Sequence, residues 1–156
     1  MKISPLQLNQ YFITDLLFTA NRDHNPAAPV KLKATDLDVQ PTCLPNKDNP
    51  RAWQVTLRIT QKPIAEANAP YSFSLEVVGF FEVAETYAAE KVAAFVETNG
   101  TSMLYGAARA ILKTVTATGP YVPVLLPTVS FYTPETKKVL AGKAAPKLPP
   151  APAAKS

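Results

Sequence analysis

The chain has 156 residues, one cysteine, one histidine and a net charge of +4; that length supports one domain with its own core, so stability requires neither disulfides nor a structural metal. With only Cys43 and His24 available, an intrachain disulfide and a zinc site built by the protein are excluded. Five lysines and no acid between Thr136 and Ser156 put +5 there and leave −1 for the rest, so the body lacks the basic footprint of a nucleic-acid binder.

The N-terminal "MKISPLQLNQYF" alternates apolar and polar residues and lacks the continuous apolar block of a signal peptide. No run approaches the roughly 20 apolar residues of a membrane span. A cytoplasmic location is expected.

Residues 6 to 20 put Leu6, Leu8, Phe12, Leu16 and Phe18 on one face, which predicts a half-buried strand. "NRDHNPAAP" is a turn region. "VKLKATDLDV" resumes the alternation through Val30, Leu32, Leu37 and Val39 with a break near Ala34, and "QPTCLPNKDNP" is expected as a loop. In "WQVTLRITQ", Trp53, Val55, Leu57 and Ile59 share a face, the clearest strand of the chain. "YSFSLEVVGFFEV" follows, apolar on both faces around Val77, Val78, Phe80 and Phe81. Four strands with short connections predict an antiparallel sheet.

At Glu85 the period changes to helical. "ETYAAEKVAAFVET" predicts a short helix, and "NGTSMLYGAARAILKTVTATG" a longer one, capped by Asn99 or Thr101 and stopped by Gly119 and Pro120. The small residues Gly106, Ala107 and Ala108 would admit a neighbouring backbone. "GPYVPVLLPTVSFY" is apolar, yet Pro120, Pro123 and Pro127 forbid a helix or a central strand. One helical turn is expected from Pro134 to Leu140. The domain is expected to span 1–135, with 136–156 a disordered basic tail rich in Ala, Pro and Lys.

Chemistry is scarce. His24, in "RDHNP", reads as a solvated loop residue, and Cys43, with no basic neighbour, as an inert thiol. "NGTSMLYGAAR" lacks the ending of a phosphate loop, and the carboxylates follow no catalytic spacing. An enzyme is not expected. The surplus apolar residues of the fourth strand and the proline-broken segment admit two readings: cover by helices or another subunit, or an exposed groove or interface.

Four pieces, "LQLNQYFITDLLFTA", "WQVTLRIT", "SLEVVGFFEV" and "NGTSMLYGAARAILKTVTATGPYVPVLLPTVSFY", resemble the SecB family of protein-export chaperones and together span Leu6 to Tyr132. The resemblance implies an α+β fold, a four-stranded antiparallel sheet with two C-terminal helices packed on it. It also implies a homo-oligomer, a tetramer built as a dimer of dimers, without cofactors, metal or membrane insertion. The function implied is an ATP-independent holding chaperone that binds unfolded precursor proteins in an apolar groove and keeps them competent for export.

On that resemblance the groove falls to Phe80, Phe81, Tyr121, Val122, Val124, Leu125, Leu126, Val129 and Phe131. The oligomer interface falls to Leu75, Val77, Leu104, Ala107, Ala108 and Ile111. Asp15 and Glu76 match two acidic positions at which the family docks the translocation motor SecA; they are equally readable as solvated strand carboxylates. The chain departs from the family pattern at Thr19, where an acid is expected, at Ala110, where Glu is usual, and in its basic charge. Two alternatives stand beside export: a SecB-like chaperone dedicated to one partner such as an antitoxin, and a nucleic-acid-binding β protein using the lysine tail.

Overall fold

A computed structural model describes residues 1–62 and 65–141. The alternating segments form β1 (Leu6–Ala20), β2 (Leu37–Pro45), β3 (Ala52–Gln61) and β4 (Tyr71–Val83). They make one sheet in the order β1-β4-β3-β2, every neighbouring pair antiparallel. Odd residues of β3 and β4 face the core, with Val55, Leu57, Ile59, Tyr71, Leu75, Val77 and Phe81 all buried.

Two expectations about the strands change. The alternation predicts the second strand at 30–39 and a loop over 40–50, but a turn of 3-10 helix at Ala34–Asp36 precedes a strand over Leu37–Pro45 that runs through Pro41. Proline is tolerated there because β2 lies at the sheet edge, where a missing donor facing outward costs no ladder bond. In β1 the pairing register shifts between Leu8 and Gln10 and again between Ile13 and Asp15. These bulges flip the faces in between, so Phe12 lies on the outer face against Phe80, ring centroids 5.9 Å apart, rather than with Leu8 and Leu16.

The two expected helices are one continuous rod. A 3-10 turn (Ala89–Lys91) leads into α1 (Val92–Phe95), a π-helical stretch (Val96–Gly100) and α2 (Thr101–Thr116). Gly100 and Thr101 keep helical dihedrals, and Asn99 donates its side-chain amide to the Phe95 carbonyl four residues back instead of capping a new start. The rod lies on the core face of the sheet. Gly79 makes the approach possible, since a Cβ there would sit 2.7 Å from Leu104 Cδ2.

Residues 120–133 carry no regular secondary structure, and α3 (Pro134–Leu140) then begins on a Thr133 cap whose hydroxyl accepts from the Thr136 N–H. The boundary expected at residue 136 falls inside this helix; residues 142–156, the rest of the expected tail, lie outside the described residues.

The proline-rich connector has its own alternation, inward at Val124 and Leu126 and outward at Val122 and Leu125. Its main chain is held by side chains rather than by a ladder. The Tyr71 hydroxyl accepts the Tyr121 N–H (2.8 Å) and donates to the Tyr121 carbonyl (3.2 Å). The Thr116 hydroxyl accepts the Val124 N–H (2.8 Å), Arg109 Nε donates to the Leu126 carbonyl (3.0 Å), and the Tyr105 hydroxyl donates to the Pro127 carbonyl (2.7 Å). Gly119 is required where the connector starts, because any side chain would run into the Tyr71 ring.

Neighbouring leucines should therefore behave differently. Leu126→Ala is expected to cost about 2–5 kcal/mol in urea unfolding through the cavity it leaves, whereas Leu125→Ala should stay within about 0.5 kcal/mol. Equal losses would contradict the alternation.

Candidate functional site

Opposite the connector runs an arm, the segment from Asn21 to Lys33 between β1 and β2. Two asparagines fix it. Asn21 donates its side-chain amide to the Ala69 carbonyl (2.8 Å). Asn68 has a left-handed backbone (φ 48), which asparagine tolerates better than most residues. Its side chain accepts the Asn25 N–H (2.9 Å) and donates to the carbonyls of Asn25 (2.9 Å) and Ala28 (3.2 Å). The Lys31 N–H adds a bond to the Ala67 carbonyl (2.9 Å).

Arm and connector face each other across two apolar clefts that share Val30 and Val122. One, of about 470 Å³, is lined by His24, Pro26, Ala28, Val30, Pro120, Tyr121 and Val122. The other, of about 210 Å³, reaches Leu32, Ala69, Pro70, Pro123, Val124 and Leu125, with Gln61 as its polar side chain. Val30, Val122 and Leu125 are 42, 58 and 64 % exposed, so three apolar side chains line a surface groove whose walls are both pinned by hydrogen bonds. Apolar surface of this kind is available to another molecule.

Of the residues expected in the groove, Tyr121, Val122, Val124 and Leu125 meet here, Val124 as a mostly buried part of the smaller cleft's lining. Phe81 and Leu126 do not; they are sealed in the chain's own core. Phe80 points from the outer face of the sheet, against Phe12. Val129 is half-buried, and Phe131 packs edge-on to Tyr105 at 5.6 Å and lines a separate cleft with Cys43, Glu97 and Tyr132.

Of the expected interface residues, Leu75, Val77, Leu104 and Ala108 are also core, because the sheet and the rod of the same chain bury one another there. Ala107 and Ile111 are half-buried. The exposed face of α2 carries Met103, Gly106 and Ala110 instead.

The arm as a wall, and Asn68 as its anchor, leave no signal in the sequence. Neither "NPAAPVKL" nor "EANAP" has a period, and the contact joins residues more than 40 positions apart. His24 is corrected as well: it is only 8 % exposed, with Nδ1 2.9 Å from the Asn68 carbonyl and its ring edge against Tyr121.

Burial favours the neutral form of two groups, Cys43 and Tyr105. Burial raises the Cys43 pKa; a contact with Thr101 opposes this and the nearby Glu97 charge adds to it, so the thiol stays protonated and unreactive at neutral pH. Burial likewise raises the Tyr105 pKa against the opposing charge of Arg109, keeping its hydroxyl a donor to Pro127. Among the described residues no group of three His, Cys, Asp or Glu side chains could hold a metal ion, and no helix is long and apolar enough to cross a membrane.

On the outer face Asp15 and Glu76 share Arg58. Its Nε and Nη2 donate to Glu76 Oε2 at 3.2 and 3.0 Å, and Nη1 lies 3.9 Å from Asp15 Oδ2. Thr14 donates to the other Glu76 oxygen at 2.7 Å. The hydrogen bond from Thr14, then that from Arg58, hold the Glu76 pKa below the usual carboxylate value.

Residues 2–144 match the profile of a family described as SecB, preprotein translocase subunit. An uncharacterized protein of Methanocaldococcus jannaschii is 29 % identical over 126 residues, 80 % of this chain and 79 % of that protein. Among solved structures, a SecB-like chaperone of Mycobacterium tuberculosis, in complex with a ChAD peptide from the HigA1 antitoxin, superposes with a TM-score of 0.61 at 17 % identity, covering 83 % of this chain and 94 % of that one.

Because the folded-state pKa of Glu76 lies below its unfolded value, its contribution to stability is present above the unfolded pKa and is lost as the pH falls through the folded one. Thr14→Val and Arg58→Ala should each move the Glu76 carboxyl titration upward by NMR. A midpoint unmoved by both would show that neither contact holds the carboxylate.

Proposed function

The chain belongs to the SecB family, and from that membership we propose that it is an ATP-independent holding chaperone that captures unfolded polypeptide in the groove between arm and connector. The observation that carries this reading is the pair of hydrogen-bonded walls presenting Val30, Val122 and Leu125 to solvent. Fully burying one such side chain is worth about 1.5–3 kcal/mol. Three partly exposed ones, matched by apolar side chains of the client, offset the cost of ordering a short segment. The walls need not reorganise, which preserves that gain.

Capture by burial needs neither a nucleotide nor a metal, and no catalytic group is part of this reading. The clients proposed are unfolded precursor proteins kept competent for export. Assembly into a tetramer is proposed as well, for two reasons. β1 is a 15-residue edge strand without proline that leaves Tyr11, Ile13 and Leu17 exposed, and the outward face of α2 offers Gly106 with no neighbouring atom within 4 Å of a Cβ built there. Several grooves on one particle would raise the effective concentration for a long client.

A second reading, a chaperone dedicated to one partner such as an antitoxin, is favoured by the outer face. There Arg58 offsets the charge of Asp15 and Glu76, leaving little acidity for docking SecA, and the M. tuberculosis chaperone of the same fold was solved with an antitoxin peptide. Both readings use the groove; they differ in how many clients enter it.

Val122→Ser with Leu125→Ser tests the groove, since both side chains are largely exposed and the fold should survive. The double variant is expected to suppress aggregation of a chemically denatured client about tenfold less well than the parent. Undiminished suppression with the oligomer intact would contradict the proposal.

A further inference from the structure

Three polar side chains interrupt the apolar lining of the groove, Gln61 in the smaller cleft and His24 and Tyr121 in the larger, and of these His24 is held by contacts to both walls. His24 is more than nine-tenths buried and lines the larger cleft. Its Nδ1 lies 2.9 Å from the main-chain carbonyl oxygen of Asn68. A carbonyl oxygen can only accept, so Nδ1 carries a hydrogen, and in the neutral imidazole this leaves the lone pair on Nε2. Among the described residues no donor pairs with Nε2.

The ring cannot turn freely to hide that lone pair. Its edge rests on Tyr121, centroids 4.8 Å apart at 61°. Tyr121 is in turn fixed by the buried Tyr71 hydroxyl, and Asn68 by its bonds to the arm. Connector and arm thus jointly position one acceptor at the wall of an apolar cleft.

An extended polypeptide entering such a cleft brings its own main-chain N–H groups out of water, and each one left unpaired weakens binding. We propose that Nε2 of His24 accepts a hydrogen bond from one main-chain N–H of the captured chain and so fixes the register in which that chain lies. This inference rests on the groove being the polypeptide-binding site. It deepens that reading by giving a largely apolar surface a preferred alignment. It also predicts a sequence preference: proline, which has no N–H, is excluded from the client position opposite His24.

The test uses a fluorescently labelled extended peptide of leucine and alanine with a lysine at each end, and a series in which one backbone amide at a time is replaced by an ester, removing the N–H without adding bulk. Binding to the intact protein is read by anisotropy. One ester position is expected to weaken binding about tenfold and the others little. His24→Asn keeps a side-chain donor for the Asn68 carbonyl but has no acceptor at the Nε2 position. It should bind the parent peptide about tenfold more weakly and be indifferent to the sensitive ester. An ester series that is flat in the unaltered protein overturns the hydrogen bond and leaves the groove standing, as does a His24→Asn variant that still discriminates the ester. Failure of the parent peptide to bind the unaltered protein overturns both.

Discussion

A segment with three prolines in eight residues has too few donors to join a sheet, so its position depends on side chains that reach across to its main chain. The Tyr71 hydroxyl is the first and most consequential of these. Fully buried on the core face of β4, it satisfies both the N–H and the carbonyl of Tyr121. Thr116, Arg109 and Tyr105 repeat the device further along. Each such bond adds on the order of 1 kcal/mol net, and leaving its buried partner unmet costs more. The helical rod supplies three of the four clamps from one face, at 105, 109 and 116, so the rod has to be continuous and close to the sheet for the connector to run where it does.

The rest of the site follows from that placement. Once its main chain is fixed, the connector must alternate: Val124 and Leu126 enter the core while Val122 and Leu125 stand in solvent. The arm, pinned by Asn21 and Asn68, faces those outward residues and completes a groove. Proline thus does two things. It denies the segment a ladder that would satisfy it within the sheet, and it stiffens the chain so that exposed apolar side chains do not fold back onto their own backbone.

Much of the fold was legible in the sequence because it rests on periodicity. β3 alternates cleanly, the odd face of β4 is apolar throughout apart from Gly79, and Gly119 with Pro120 ends a helical stripe. The errors have specific causes. Prolines 41 and 45 read as loop because a sequence does not say which strand lies at an edge. Asn99-Gly100 reads as a break because its alternative, side-chain bonding within a π-helical stretch, leaves no pattern. Leu104 and Ala108 read as interface because an apolar helical stripe looks the same whether a sheet of the same chain or a second copy covers it. The site was half legible: the apolar connector announced itself, whereas which of its residues point outward depends on partners at 71, 105, 109 and 116, and the opposing arm has no periodicity at all.

Family membership gives the chemistry of capture its context, and the outer face of the sheet gives this chain its individuality, with Arg58 between Asp15 and Glu76. The central claim, that unfolded chains lie between arm and connector, is tested most directly by placing a photoreactive amino acid at Val122, and separately at Gln54 on the outer face, and irradiating the protein in the presence of an unfolded client. The account predicts strong crosslinking from position 122 and little from 54. Crosslinking from 54 with none from 122 would contradict it.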